Sequence, residues 1–219
     1  MAMNFEQARV NMVENQVRPW EVLDARVLDV LGSVRREDFV AAEHRQLAFA
    51  DLTLPLGHGE VMMKPVVEGR VLQALELLPT DQVLEIGTGS GFLTACLAKL
   101  SAGVTSVDIH ADFIAAATQR LAQAGIDNVT LATGEAVNAW QPAGQFDALV
   151  VTGAVYEIPQ RFLGWLKPGG RLLAVRGESP VQQMVLLTHE GEGRYREESI
   201  LETDLPYLVH AEPPRKFVF

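Results

Sequence analysis

The sequence predicts an α/β fold: a mostly parallel sheet of seven strands that ends in an antiparallel hairpin, preceded by an N-terminal helical extension. Three observations carry this. From Gln82 onward short apolar runs alternate with helical patterns, as parallel strands joined by right-handed crossovers require. Glycines at 87, 89 and 91 sit where the first of those strands turns into a helix. Near the C-terminus two strand-like runs flank the turn-forming Glu190-Gly191-Glu192-Gly193, which reads as a hairpin.

The elements follow in order. Residues 1–78 read as helix and loop, and 79–219 as the sheet-bearing core. Asn4 is placed to cap a first helix, with Gln7 completing a capping box. Asn15-Gln16-Val17-Arg18-Pro19 reads as a polar break, with Arg18 a helix-end cation. Val27, Leu28, Val30 and Leu31 mark a second helix. Arg35-Arg36-Glu37-Asp38 looks like a solvated turn in which the charges cancel. Thr53 to Pro65, punctuated by Pro55, Gly57 and Gly59, reads as a loop. A helix then carries Val67, Val71, Leu72 and Leu75 on one face and ends at Pro79-Thr80-Asp81. The seven strands are expected at 83–86, 104–107, 129–132, 146–151, 171–175, 181–188 and 195–201. Helices are expected at 92–100, 112–124 and 159–166.

Composition narrows the function. The 219 residues suffice to bury a core, and 48% hydrophobic with 21% charged residues is an ordinary globular balance. A net charge of -10 argues against a broad nucleic-acid surface, since phosphates demand clustered positive charge. No apolar run is long enough to span a bilayer, so no membrane partner is expected. Glu6, Arg9 and Glu14 interrupt the first 16 residues, unlike the apolar centre of a signal peptide, and a cytoplasmic protein is expected. The single Cys96 excludes an internal disulfide and is expected in the core. The histidines at 44, 58, 110, 189 and 210 show no ligand spacing in the chain, and no metal is expected.

The most informative stretch is Val83-Leu84-Glu85-Ile86-Gly87-Thr88-Gly89-Ser90-Gly91-Phe92. In open α/β sheets a ligand lies outside the carboxyl ends of the strands, and this turn is there. The spacing is G-x-G-x-G rather than the G-x-G-x-x-G of dinucleotide sites. Glu85, two residues ahead of Gly87, can accept hydrogen bonds around the amino-acid end of S-adenosylmethionine. Asp108, closing the next strand about 20 residues on, can accept from both ribose hydroxyls. Gly134-Glu135-Ala136 follows the third strand, and Glu135 is a candidate for the adenine edge. Thr152 to Ala154, at the end of the fourth strand, are expected to line the transfer cavity. The predicted cofactor residues are therefore Glu85, Gly87, Thr88, Gly89, Gly91, Asp108, Glu135 and Thr152, and the cofactor is S-adenosyl-L-methionine on a Rossmann-like methyltransferase fold.

Beyond these motifs the chain resembles the protein-L-isoaspartate O-methyltransferase family over nearly its whole length. The resemblance is carried by the 83–92 block, by Arg36-Glu37-Asp38-Phe39-Val40, and by Ala50-Asp51-Leu52-Thr53-Leu54-Pro55-Leu56-Gly57. Phe146 to Ala154 and Leu166-Lys167-Pro168-Gly169-Gly170-Arg171-Leu172 are similar as well. It implies methyl transfer to the α-carboxylate of isoaspartyl residues in aged proteins, hence a peptide or protein substrate. A carboxylate is already ionised near pH 7, so such chemistry needs alignment in a water-poor pocket more than a base.

One segment departs from the family pattern. Where members carry T-I-S-Q-P, this chain has Val61-Met62-Met63-Lys64-Pro65, so Met63 replaces the serine and Lys64 the glutamine. A thioether donates no hydrogen bond. Lys64 is a candidate for attracting an anionic substrate, and His58, between two glycines, for a general base if the acceptor is a hydroxyl or amine. The catalytic candidates are His58, Met63 and Lys64. Two alternatives follow from Met63: a methyltransferase of the same fold with another acceptor, a small molecule included, or a protein that binds the cofactor without isoaspartyl turnover. A nucleotide-dependent dehydrogenase is disfavoured by the glycine spacing and the terminal hairpin.

Overall fold

The structure is a computed structural model and describes residues 3–214. Its main sheet has seven strands in the order β5-β4-β3-β6-β7-β8-β9. In chain order these are β3 (Gln82–Ile86), β4 (Gly103–Asp108), β5 (Val129–Thr133), β6 (Phe146–Val155), β7 (Leu166–Arg176), β8 (Gln182–Gly191) and β9 (Arg194–Thr203). β3 pairs parallel with β4 on one side and β6 on the other, and β4 with β5 and β6 with β7 continue parallel. β8 and β9 then pair antiparallel, as the terminal turn predicts. Strand order reverses between β3 and β6, and that switch point opens a crevice at the carboxyl edge.

Helices α4 (Phe92–Leu100) and α5 (Ala111–Gln123) cover the sheet, and a short α6 (Gln160–Leu163) precedes β7. Packing explains why these runs are helices. All of α4 except Lys99 is buried, Cys96 included, whereas α5 buries only Phe113, Ala117 and Leu121 along one stripe. The N-terminal part adds α1 (Phe5–Met12), α2 (Ala25–Ser33) and α3 (Pro65–Leu75). Their buried residues, from Met12 to Leu75, belong to one apolar cluster with Val83, Phe92 and Leu97 of the core.

Several local expectations are corrected. Asn4 caps α1 by accepting from the Gln7 backbone N–H, but the Gln7 side chain turns to Asn11 and leaves the capping box half made. The polar stretch after α1 is a π-helical turn over Val13–Val17 that runs into a 3-10 turn at Arg18–Trp20, not a break. α3 stops at Leu75, where Glu76 takes a left-handed conformation, four residues before Pro79. The segment 53–65 is not irregular loop: β1 (Leu54–Gly57) and β2 (Glu60–Met62) form an antiparallel hairpin. Alternating glycines and prolines conceal so short a pair from a periodicity reading.

The largest correction concerns Arg36, which is fully buried rather than solvated. Its guanidinium donates to the carbonyl of Ala48 at 2.7 Å, to the carbonyl of Met63 at 2.7 Å and to the buried carboxylate of Glu68. The Phe92 ring lies 4.7 Å beneath it. Glu37 is buried too, paired with Arg9 at 2.6 Å, while Arg35 and Asp38 are the exposed members. Sequence shows two basic residues followed by two acidic ones but not that two of the four turn inward to partners 28 and 32 residues away.

Candidate cofactor and acceptor site

At the switch point the chain leaves β3 through Gly87, Gly89 and Gly91, with φ of 98°, 50° and 83°. Gly87 illustrates why a side chain is excluded. A Cβ there would lie 2.1 Å from Thr152 Oγ1. Thr152, on β6, donates at 2.6 Å to the Gly87 carbonyl and at 3.0 Å to that of Ile86, fastening the two strand ends together. Gly91 stands at the N-cap of α4, so the turn delivers helix N–H groups toward the crevice.

Two chambers meet at this turn. The larger, a cleft of about 670 Å³ open to solvent, includes Ile86, Gly87, Asp108, His110, Gly134, Glu135 and Thr152 among its walls. The smaller, of about 320 Å³, includes Met63, Glu68, Glu85, Thr88, Ser90 and Leu93. Leu56, Val61, Gly87, Gly89 and Thr152 face both, so the hairpin β1–β2 roofs the point where they join.

Seven of the eight predicted cofactor residues line one chamber or the other; Gly91 lines neither and faces Ala117 and Phe39 instead. Asp108 is almost fully buried, and each of its oxygens accepts one backbone N–H: Oδ2 from Gly89 at 2.8 Å and Oδ1 from His110 at 2.9 Å. Each oxygen keeps a further lone pair for a ligand hydroxyl. Glu135 accepts from the N–H groups of Val137 at 2.6 Å and Asn138 at 3.1 Å, which folds the chain after β5 against the cleft. Thr88 is buried, its hydroxyl 2.6 Å from that of Ser106.

Glu85 is the most informative. It is fully buried; Oε2 accepts from Thr94 at 2.5 Å and from Ser106 at 2.6 Å, while Oε1 has no partner. Burial pushes its carboxyl up to about 8, and the hydroxyl partners only partly oppose this. An unpartnered buried carboxyl oxygen is costly, and a cationic donor would both satisfy it and favour loss of the proton that burial retains. The ammonium of S-adenosylmethionine is such a donor, and by this test the residues present fit that cofactor. Thr94 and Ser106 were not singled out from sequence. Hydroxyl residues nine and 21 positions from Glu85 carry no local signal.

The three acceptor-side candidates part company. Met63 is buried in the smaller chamber, its carbonyl held by Arg36. Lys64 is exposed and forms the N-cap position of α3 without a side-chain hydrogen bond. His58 lies at the hairpin tip, outside the walls of both chambers, with Nε2 3.0 Å from Asp112 Oδ2. Spacing in the chain hides that His58, His110 and Asp112 come together in space, with one ligand atom of each within 4.8 Å of the others. Glu68, behind Met63, was also missed; burial raises its carboxyl to about 7 against the pull of Arg36.

Comparison with known proteins agrees with this arrangement. A family model described as protein-L-isoaspartate(D-aspartate) O-methyltransferase matches residues 7–208. A protein-L-isoaspartate O-methyltransferase of Brucella anthropi is 34% identical over 198 residues, covering 90% of this chain and 91% of its own. That of Methanoculleus marisnigri is 38% identical over 186 residues, covering 85% and 84%. Among solved structures, a Plasmodium falciparum protein named as a protein-L-isoaspartate O-methyltransferase, in complex with S-adenosyl-L-homocysteine, superposes with a TM-score of 0.80. It is 19% identical, and the match covers 94% of this chain and 99% of that one, so it establishes the shared fold. The chain belongs to the protein-L-isoaspartate(D-aspartate) O-methyltransferase family, a family of S-adenosylmethionine-dependent methyltransferases.

Proposed function

We propose that the chain methylates the α-carboxylate of isoaspartyl residues in peptides or damaged proteins, using S-adenosylmethionine, in the cytoplasm. The observation that carries this is the junction of the two chambers at Gly87, Gly89 and Thr152. In this reading residues 79–219 hold the cofactor and 1–78 present the acceptor. Asp108 would hold the ribose, Glu135 the adenine edge and Glu85 the ammonium, with the backbone of Gly87 to Gly91 against the amino-acid moiety. Bound there, S-adenosylmethionine supplies an electrophilic methyl group on a sulfonium.

What remains for the protein is to align the acceptor and exclude water. Leu56 and Val61 of the hairpin cover the junction, and shielding it from water strengthens attraction between an anionic acceptor and a cationic centre. No base is needed for a carboxylate, and this accords with His58 lying outside both chambers. Lys64, exposed beside the hairpin, would draw an anionic substrate in.

A second reading, transfer to another acceptor, is favoured by one observation: Met63 places a thioether in the chamber where relatives of this family carry a hydroxyl. Incubation with methyl-labelled S-adenosylmethionine and an isoaspartyl peptide separates the two. Base-labile methyl ester on the peptide is expected; label entering only other acceptors would reject the isoaspartyl reading. Met63→Ser should raise turnover of the peptide if the hydroxyl alone is lacking, and an unchanged rate would mean that the surroundings of Met63 differ by more than one side chain.

A further inference from the structure

We propose that His58, His110 and Asp112 form a binding site for a divalent transition-metal ion such as Zn²⁺, which staples the hairpin tip to α5 over the cofactor cleft. The three side chains come from two segments about 50 residues apart, and one ligand atom from each lies within 4.8 Å of the others. Two imidazoles and one carboxylate suit zinc, nickel or copper, and three protein ligands leave positions for water.

Details of the geometry support an ion over a simple contact. His110 Nε2 is buried and has no hydrogen-bond partner among the described residues, a position that an ion would fill. His58 and His110 stack face to face with centroids 4.0 Å apart, and Phe113 packs edge-on against both. His58 itself sits at φ 55°, between Gly57 and Gly59 at φ 112° and 85°. This unusual backbone presents its ring to α5, and a chelated ion gives it a function. His58 Nε2, now 3.0 Å from Asp112 Oδ2, would exchange that hydrogen bond for the ion, with any proton on Nε2 passing to Nδ1. The rings must splay slightly so that both nitrogens face the ion. His58 and Asp112 are exposed enough for this.

The consequence is coupling. Leu56, Glu60 and Val61 of the hairpin and His110 and Phe113 of the α5 side are walls of the same cleft. An ion joining the two sides favours the closed arrangement, and linkage then requires that ion and cleft ligand alter each other's affinity equally.

The test is Zn²⁺ binding to the metal-free chain by competition with a chromophoric chelator, with Co²⁺ absorption as a second readout. One Zn²⁺ per chain is expected, together with a visible Co²⁺ spectrum of nitrogen and oxygen ligation. His58→Ala and Asp112→Asn should each weaken Zn²⁺ at least tenfold while circular dichroism stays unchanged. His44→Ala, whose ring lies outside the cluster, should leave binding intact. Absence of stoichiometric Zn²⁺, or equal affinity in the wild type and both cluster variants, would overturn the site.

Discussion

Two turns in this molecule are built from three successive or near-successive residues at positive φ, and they serve opposite ends. At 87–91, side chains are excluded because the surroundings are full. A Cβ at Gly87, Gly89 or Gly91 would approach Thr152, Leu56 or Ala117 to 2.1, 3.1 and 3.0 Å. At 57–59 the space is open: a Cβ on Gly59 would meet nothing within 4 Å, and the middle residue is a histidine. The first turn is glycine because its neighbours leave a Cβ too little room. The second is glycine only for its curvature, and it displays a side chain.

Substitutions can break or sharpen that contrast. The largest effect is expected from Gly87→Ala, where backbone strain and overpacking against Thr152 each cost roughly 1–3 kcal/mol. Denaturant unfolding measures it, and a loss no greater than that of Gly59→Ala would erase the distinction. Asp108→Ala should weaken S-adenosylmethionine by about 1–3 kcal/mol, because the carboxylate orders Gly89 and serves the ligand; calorimetry giving an unchanged Kd would remove Asp108 from the site. Gly59→Ala should cost only the left-handed backbone term, about 1–2 kcal/mol, with cofactor affinity unaltered.

A further effect is read from pH. Glu85 has an ordinary value of 4.5 and is raised to about 8 in the folded chain. The native state therefore binds a proton that the unfolded state releases. The stability contributed this way is complete below pH 4.5 and is lost as pH rises through about 8. Glu85→Gln lacks this component, so its Tm relative to the wild type should climb between those limits. A constant difference across that range would mean that Glu85 is ionised throughout.

Much of this contrast was legible in the sequence, and the reason is local. The strands flanking Gly87 are continuous apolar runs, and Val83 to Ile86 and Phe92 to Leu100 declare their period within ten residues. Asp108 is found because it ends a strand at the expected distance from the glycines. The hairpin escaped because three- and four-residue strands containing proline have no period to detect. Arg36 escaped for a different reason: its partners Ala48, Met63 and Glu68 are distant in the chain, and nothing beside it distinguishes a buried guanidinium from a solvated one. The His58, His110 and Asp112 cluster was invisible on the same ground.

The hydroxyl of Thr152, clamped on two carbonyls of the neighbouring strand, carries a mechanical consequence. A floor riveted in this way keeps its shape, so a change in how the two rooms communicate falls to the roof. Leu56 and Val61 ride on that roof above both rooms. A shift of that one hairpin therefore reshapes both rooms together, and neither can be altered there alone.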